Sequence, residues 1–147
     1  MLEVKDLHVN IESVQVLRGL SLTLKTGAMS GLVGRNGAGK SSTIEACEGL
    51  RRLTSGDVRL LGASVRDAGS ALRARIGVML QDGGVYPSAR VLDTIRHYCV
   101  LHGRGADAGV LLEQVGLHDR ARSTWRRLSG GERQRLLLAM ALAARPD

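Results

Sequence analysis

The run G-R-N-G-A-G-K-S-S, Gly34 to Ser42, decides how the rest of the chain is read. Three glycines leave the backbone bare, a lysine follows them, and two serines close the run. The spacing is GxxxxGK followed by Ser or Thr: bare N–H groups converge on the β- and γ-phosphates of a nucleotide, and the lysine ammonium brings charge to the same oxygens. Gly34, Asn36, Gly37, Ala38, Gly39, Lys40, Ser41 and Ser42 are therefore the candidate phosphate-binding residues, and the Ser41 hydroxyl is a candidate Mg2+ ligand. The flanks suit this geometry. "MSGLVG" (29–34) reads as a short apolar strand, buried on both faces, and "SSTIEACEGL" (41–50) reads as a helix closed by Gly49. Such a helix points its positive end at the phosphates, so ATP or GTP is the expected ligand.

A second constellation is "LSGGERQR", Leu128 to Arg135. Ser129 and Glu132 stand three residues apart, the spacing of a capping box. Gly130 and Gly131 leave the start of that helix bare, and a bare dipolar helix end attracts anions.

Composition narrows the classes. With 44% hydrophobic and 24% charged residues, the 147-residue chain has a globular balance and enough length for a core of its own. Aromatic residues are only 2% and phenylalanine is absent, which leaves little to build the stacking platforms of single-strand nucleic-acid binders. The net charge of +7 is carried mainly by arginine, since Lys5, Lys25 and Lys40 are the only lysines. Those arginines are spread along the chain, as in a solvated background charge, although an acidic partner would also suit them. Cys47 and Cys99 have no CxxC or metal spacing and read as small buried residues rather than a disulfide. Glu3, Lys5 and Asp6 stand where a signal peptide needs apolar residues, and the run Leu136 to Ala144 is too short to span a bilayer, so a cytoplasmic protein is expected.

Periodicity fills in the elements. "LRGLSLTLKTG" (17–27) alternates as a half-buried strand, "TSGDVRLLG" (54–62) turns into another, and "ARIGVMLQDGG" (74–84) reads as a third that ends at Gln81. Strands alternating with helices imply a parallel sheet. From Ala89 on, the runs 89–103, 106–117 and 131–145 favour helix, with glycines between them.

Taken together, the glycine-rich loop and LSGG followed by Glu-Arg-Gln-Arg resemble the ABC-type ATPases, the nucleotide-binding subunits or domains of ABC transporters. The resemblance covers nearly the whole chain and implies an α/β fold: a P-loop NTPase core, an N-terminal antiparallel β subdomain and a helical signature subdomain. It implies residues 1–86 as the β-rich ATP-binding core, 87–135 as the helical subdomain, and 136–147 as a helix returning to the core. "IGVMLQD" (76–82) looks like the family's Q-loop, which would give Gln81 a place between Mg2+, the attacking water and the membrane domain. The family also implies that two such domains sandwich ATP, with Ser129, Gly130 and Gly131 acting on the opposite protomer's nucleotide. The partners expected are a transmembrane permease subunit and a second ATP-binding domain, at the inner face of the membrane, with no nucleic acid. The stretch 81–103 looks most like exporter subunits.

Two departures from the family stand out. Aligning "LHVNIESVQVL" (7–17) puts Ile11 where the family stacks an aromatic residue on adenine, or else the alignment slips in a variable loop. "AARPD" (143–147) resembles the lead into the Walker B strand, whose Asp and following Glu, with a later switch His, belong to hydrolysis. Asp147 has no apolar strand before it, and His8, His97, His102 and His118 all precede the signature helix, so none is read in those roles. The expectation is the N-terminal part of an ABC ATPase that binds nucleotide without hydrolysing it alone. The alternatives are a non-catalytic nucleotide-binding fragment and a soluble ABC-type ATPase acting on nucleic acid or ribosomes.

Overall fold

A computed structural model describes residues 1–67, 69–80 and 84–147. The chain divides into two compact units, Met1–Arg73 and Ala74–Asp147.

The first unit is built on four antiparallel strands, β1 (Leu2–Ile11), β2 (Val14–Leu24), β3 (Ser55–Leu60) and β4 (Ala63–Ser64), in the order β2-β1-β3-β4. β1 buries Val4, Leu7 and Val9, a spacing that strict alternation does not give. The cause is an extra residue. Val4 pairs with Leu22 and Leu7 with Leu20, so β1 spends three residues against two of its partner. Asp6 takes up the excess at a φ of 46°. Gly56 lies opposite this bulge on β3, where a Cβ would stand 2.2 Å from the Asp6 carbonyl oxygen, so the sheet admits no side chain there. The unit also holds α1 (Lys40–Cys47), which buries Ser42, Thr43 and Ala46, and the short α2 (Gly69–Arg73), anchored by Leu72.

Three helices build the second unit: α3 (Val91–His102), α4 (Ala108–Gln114) and α5 (Gly130–Leu142). α5 buries Leu136, Leu137, Ala139 and Met140 against Val91 and Ile95 of α3 and Leu111 and Leu112 of α4. This is the i, i+3, i+4 stripe of an amphipathic helix. Leu117 and Leu128 extend the core into the connection between α4 and α5. Truncating a fully buried leucine such as Leu117 or Leu136 to alanine costs about 2–5 kcal/mol. α5 stops at Leu142, two residues short of the extent read from its apolar run, although Ala143 and Ala144 stay buried. Asp147 is fastened to the start of the same unit. Its N–H donates to the Arg75 carbonyl (3.1 Å), and Arg75 Nε donates to its carboxylate (2.7 Å).

Two sequence expectations need correction. Neither 29–34 nor the described part, 74–80, of the strand read to end at Gln81 forms a strand, and no parallel sheet is present among the described residues. A strand is a pairing, and the apolar character that marks these runs does not supply a partner. Met29 and Val33 are accordingly almost fully exposed, as are large parts of Leu32, Met79 and Leu80. The cysteines are free, as expected, but only half-buried.

Candidate functional site

The glycine-rich loop leads straight into α1, and β2 sets its position. Gly39, the residue before the helix, has a φ of 87°. A Cβ there would lie 2.7 Å from Leu17 Cδ2 and 3.3 Å from the Val16 carbonyl oxygen. Glycine is thus required twice over, by conformation and by the approach of β2. The Lys40 ammonium folds back over the loop and donates to the Gly34 and Arg35 carbonyls, both at 2.8 Å. Below it, the Thr43 N–H and hydroxyl both donate to the Gly39 carbonyl (2.8 and 2.9 Å), which closes the first helical turn.

No side chain caps α1, and its first turn carries no acidic residue. By helix geometry the N–H groups of Lys40, Ser41 and Ser42 have no intrahelical acceptor, so three donors and an ammonium share one helix end. At the other end of α1, burial and the neighbouring Glu48 push the Cys47 thiol up to about 11. Burial, with Glu45 nearby, also raises the Glu48 carboxyl. The thiol is therefore neutral and no nucleophile.

The second glycine-rich helix start is built differently. Ser129 Oγ accepts from the Glu132 N–H (3.3 Å) and the Glu132 carboxylate accepts from the Ser129 N–H (2.8 Å), completing the capping box read from the sequence. Two residues that the sequence does not announce then fasten this turn. Arg120 Nε donates to the Glu132 carboxylate at 2.7 Å. Arg133 donates to the Trp125 and Arg126 carbonyls and lies 5.4 Å above the Trp125 ring. The Ser129 N–H, more than Arg120, holds the Glu132 carboxyl down at about 2. Among the described residues, nothing lies within 4 Å of where a Cβ of Gly130 or Gly131 would stand. Their N–H groups are the remaining orphan donors of the helix.

The other candidates fall as follows. Ile11 ends β1 opposite Val14 across a two-residue turn, and both are partly exposed at the hairpin tip. The same hairpin carries Val16 and Leu17 to Gly39, so Ile11 belongs to the loop's own supporting element. Gln81 lies outside the described residues. His8 is engaged locally, with Asp6 (3.2 Å) and Gln15 (3.0 Å). Among the described residues no group of three or more His, Cys, Asp or Glu could hold a metal. The exposed Ser41 hydroxyl on the first turn of α1 nevertheless suits Mg2+, which takes few protein ligands and is otherwise held by water and phosphate oxygens. No helix among the described residues is long and apolar enough to cross a membrane.

Comparison with known proteins agrees with this geometry. The family model described as ABC transporter matches residues 17–147. The methionine import ATP-binding protein MetN of Mesorhizobium japonicum is 37% identical over 150 residues, covering 96% of this chain and 41% of that protein. The aliphatic sulfonates import ATP-binding protein SsuB of Cupriavidus necator is 39% identical over 146 residues (99% and 48%). The lipoprotein-releasing system ATP-binding protein LolD 1 of Caulobacter vibrioides is 33% identical over 154 residues (97% and 66%). The chain thus spans about half the length of most curated relatives it matches. Among solved structures, an ATP-binding subunit of an ABC transporter superposes with a TM-score of 0.82 at 26% identity, over 99% of this chain and 63% of that one. The dimeric cassette MJ0796 shares the fold at a TM-score of 0.84 and 24% identity, over 99% and 71%. With the phosphate loop, the capped signature turn and these similarities in agreement, the chain belongs to the ABC transporter family, among its ATP-binding proteins.

Proposed function

We propose that the chain is part of the ATP-binding subunit of an ABC transporter, in which ATP bound at Lys40 is closed over by the signature turn of a second ATP-binding domain, and that this closure drives a membrane permease. One observation carries the reading. Each unit has a glycine-rich helix start with open N–H donors, and at Gly130 and Gly131 nothing among the described residues accounts for the missing side chains. Glycine at a helix start that packs against nothing is accounted for by a ligand or partner that must come close.

In this reading the Lys40 ammonium exchanges its two carbonyl acceptors for phosphate oxygens, while the N–H groups of Gly39 to Ser42 orient the β-phosphate. The Ser41 hydroxyl would hold Mg2+, which would supply charge neutralisation to the phosphates. Gln81 is proposed as a further contact of the ion, Ile11 as the apolar support of the base, and Ser129, Gly130 and Gly131 as donors to nucleotide carried by another protomer. The domain limits 1–86, 87–135 and 136–147 go with these roles. The place proposed is the inner face of the membrane.

The run 81–103 favours export. Relatives named for methionine and sulfonate import make the direction a matter for experiment. The test is ATP turnover by the intact gene product reconstituted with its permease in vesicles. Turnover stimulated by the permease and abolished in both Lys40→Ala and Ser129→Arg supports the reading, and the side on which solute accumulates gives the direction. Phosphate release that is the same in wild type and Lys40→Ala would leave a nucleotide-binding role only.

A further inference from the structure

The signature turn has a second, non-local fastening. Arg120 sits in the 3-10 turn His118–Arg120, immediately after the fully buried Leu117, and its own N–H donates to the Leu117 carbonyl at 3.0 Å. The Ser123 N–H in turn donates to the Arg120 carbonyl (2.8 Å), so the backbone of Arg120 is held from both sides. On the receiving side, Glu132 lies four residues before the fully buried Leu136. Both residues therefore rise from fixed points in one core. Their side chains meet above it, at 2.7 Å, with Glu132 largely shielded and Arg120 about half exposed.

Glu132 uses its two oxygens separately: Oε2 takes the Ser129 N–H and Oε1 takes Arg120 Nε. A capping-box glutamate that bonds only to its own cap can swing with the first turn of its helix. One that also grips a residue twelve positions earlier cannot, because the loop and the helix then move together. Local stability of the helix already follows from the cap. The extra contact supplies direction.

Resting on the reading of the signature turn given above, we propose that Arg120 is a positioning residue of that site: by holding the Glu132 carboxylate it fixes the angle of the first turn of α5, and with it the direction in which Gly130 and Gly131 present their N–H groups to nucleotide on a second copy. Arg120 touches neither nucleotide nor reacting atoms in this scheme. It acts through Glu132.

The experiment is ATP-driven pairing of the intact gene product, followed by sedimentation velocity, with ATP affinity of the phosphate loop measured on the same proteins by calorimetry. The variants are Arg120→Gln, Arg120→Lys, Glu132→Gln, which keeps a capping-box side chain, and the double variant Arg120→Gln with Glu132→Gln. Arg120→Gln is expected to weaken pairing about threefold, the scale of one partly exposed ion pair. Loop affinity should not move, Arg120→Lys should recover part of the loss, and the double variant should pair no worse than Glu132→Gln alone. Wild-type pairing in Arg120→Gln, or losses that multiply in the double variant, would overturn the proposal. Should Arg120→Gln fail to fold, Arg120→Lys carries the comparison: it keeps the charge and loses the geometry, and wild-type pairing there is the overturning result. Failure of the underlying reading looks different, since Lys40→Ala and Ser129→Arg would then pair with ATP as the wild type does.

Discussion

Two helix starts in this chain are rich in glycine, and they use it for opposite reasons. At the phosphate loop, Gly39 has a left-handed backbone and a wall of Leu17 and Val16 beside it, so the fold itself demands glycine. At the signature turn, none of the described residues comes within 4 Å of where a Cβ of Gly130 or Gly131 would stand, so packing among them makes no demand for glycine. The caps differ in the same sense. α1 has none, so its end is held by β2 packing and Lys40, whereas α5 is closed by Ser129, Glu132 and Arg120. A similar sequence signal, glycine at a helix start, thus marks a packing constraint in one unit and none from the described residues in the other.

The largest expected effects test this contrast directly. Gly39→Val should destabilise the first unit by about 1–3 kcal/mol, from a positive φ and a forced contact together, and should abolish nucleotide binding. Gly130→Ala should do the reverse, holding or raising stability by up to about 1 kcal/mol through helix propensity. Its cost should appear only in ATP-driven pairing. Urea unfolding beside calorimetric ATP titration separates the two, and equal destabilisation by both substitutions would end the comparison.

Next in size come the groups that hold each start. Ser129→Ala removes the cap of α5 and should cost about 1 kcal/mol, read as a fall in the urea midpoint at unchanged slope. Lys40→Ala should remove ATP binding with a smaller loss of stability, because the two carbonyls it leaves are exposed and water can take its place.

Legibility in the sequence follows how local each feature is. The capping box could be read because Ser129 and Glu132 are neighbours on one helical turn, and the phosphate loop because its spacing is its chemistry. The helices α1, α3 and α4 followed from their runs and closing glycines, and α5 from its apolar run ahead of Pro146. Arg120 could not be found this way, since nothing in an arginine twelve residues upstream of a glutamate distinguishes it from the other arginines of the chain. β1 is not read from the sequence at all, for a related reason: the bulge at Asp6 breaks the alternation by which a strand is recognised. Over 29–34 and 74–80 the signal was present and misleading, because apolar runs declare a capacity to pair and only the fold decides whether a partner is there.

The smallest effect expected is a dependence on acid that one helix start shows and the other lacks. The Glu132 carboxyl is held at about 2, down from an ordinary 4.5, by the Ser129 N–H first and Arg120 second. A carboxyl whose pKa is lowered by folding contributes stability above its unfolded value and loses it as the pH falls through the folded one, so the contribution should fade between about 4.5 and 2. The first turn of α1 has no acidic residue and should show no such response. Side-chain carbon NMR of Glu132, with the amide signals of Gly130 and Gly131 recorded beside those of Ser41 and Ser42, reads both at once. Displacement of the signature amides over that window while the phosphate-loop amides hold still is the expected result. An ordinary midpoint for Glu132 would mean that the cap and Arg120 do not grip the carboxylate in solution, and α5 would then begin as loosely as α1.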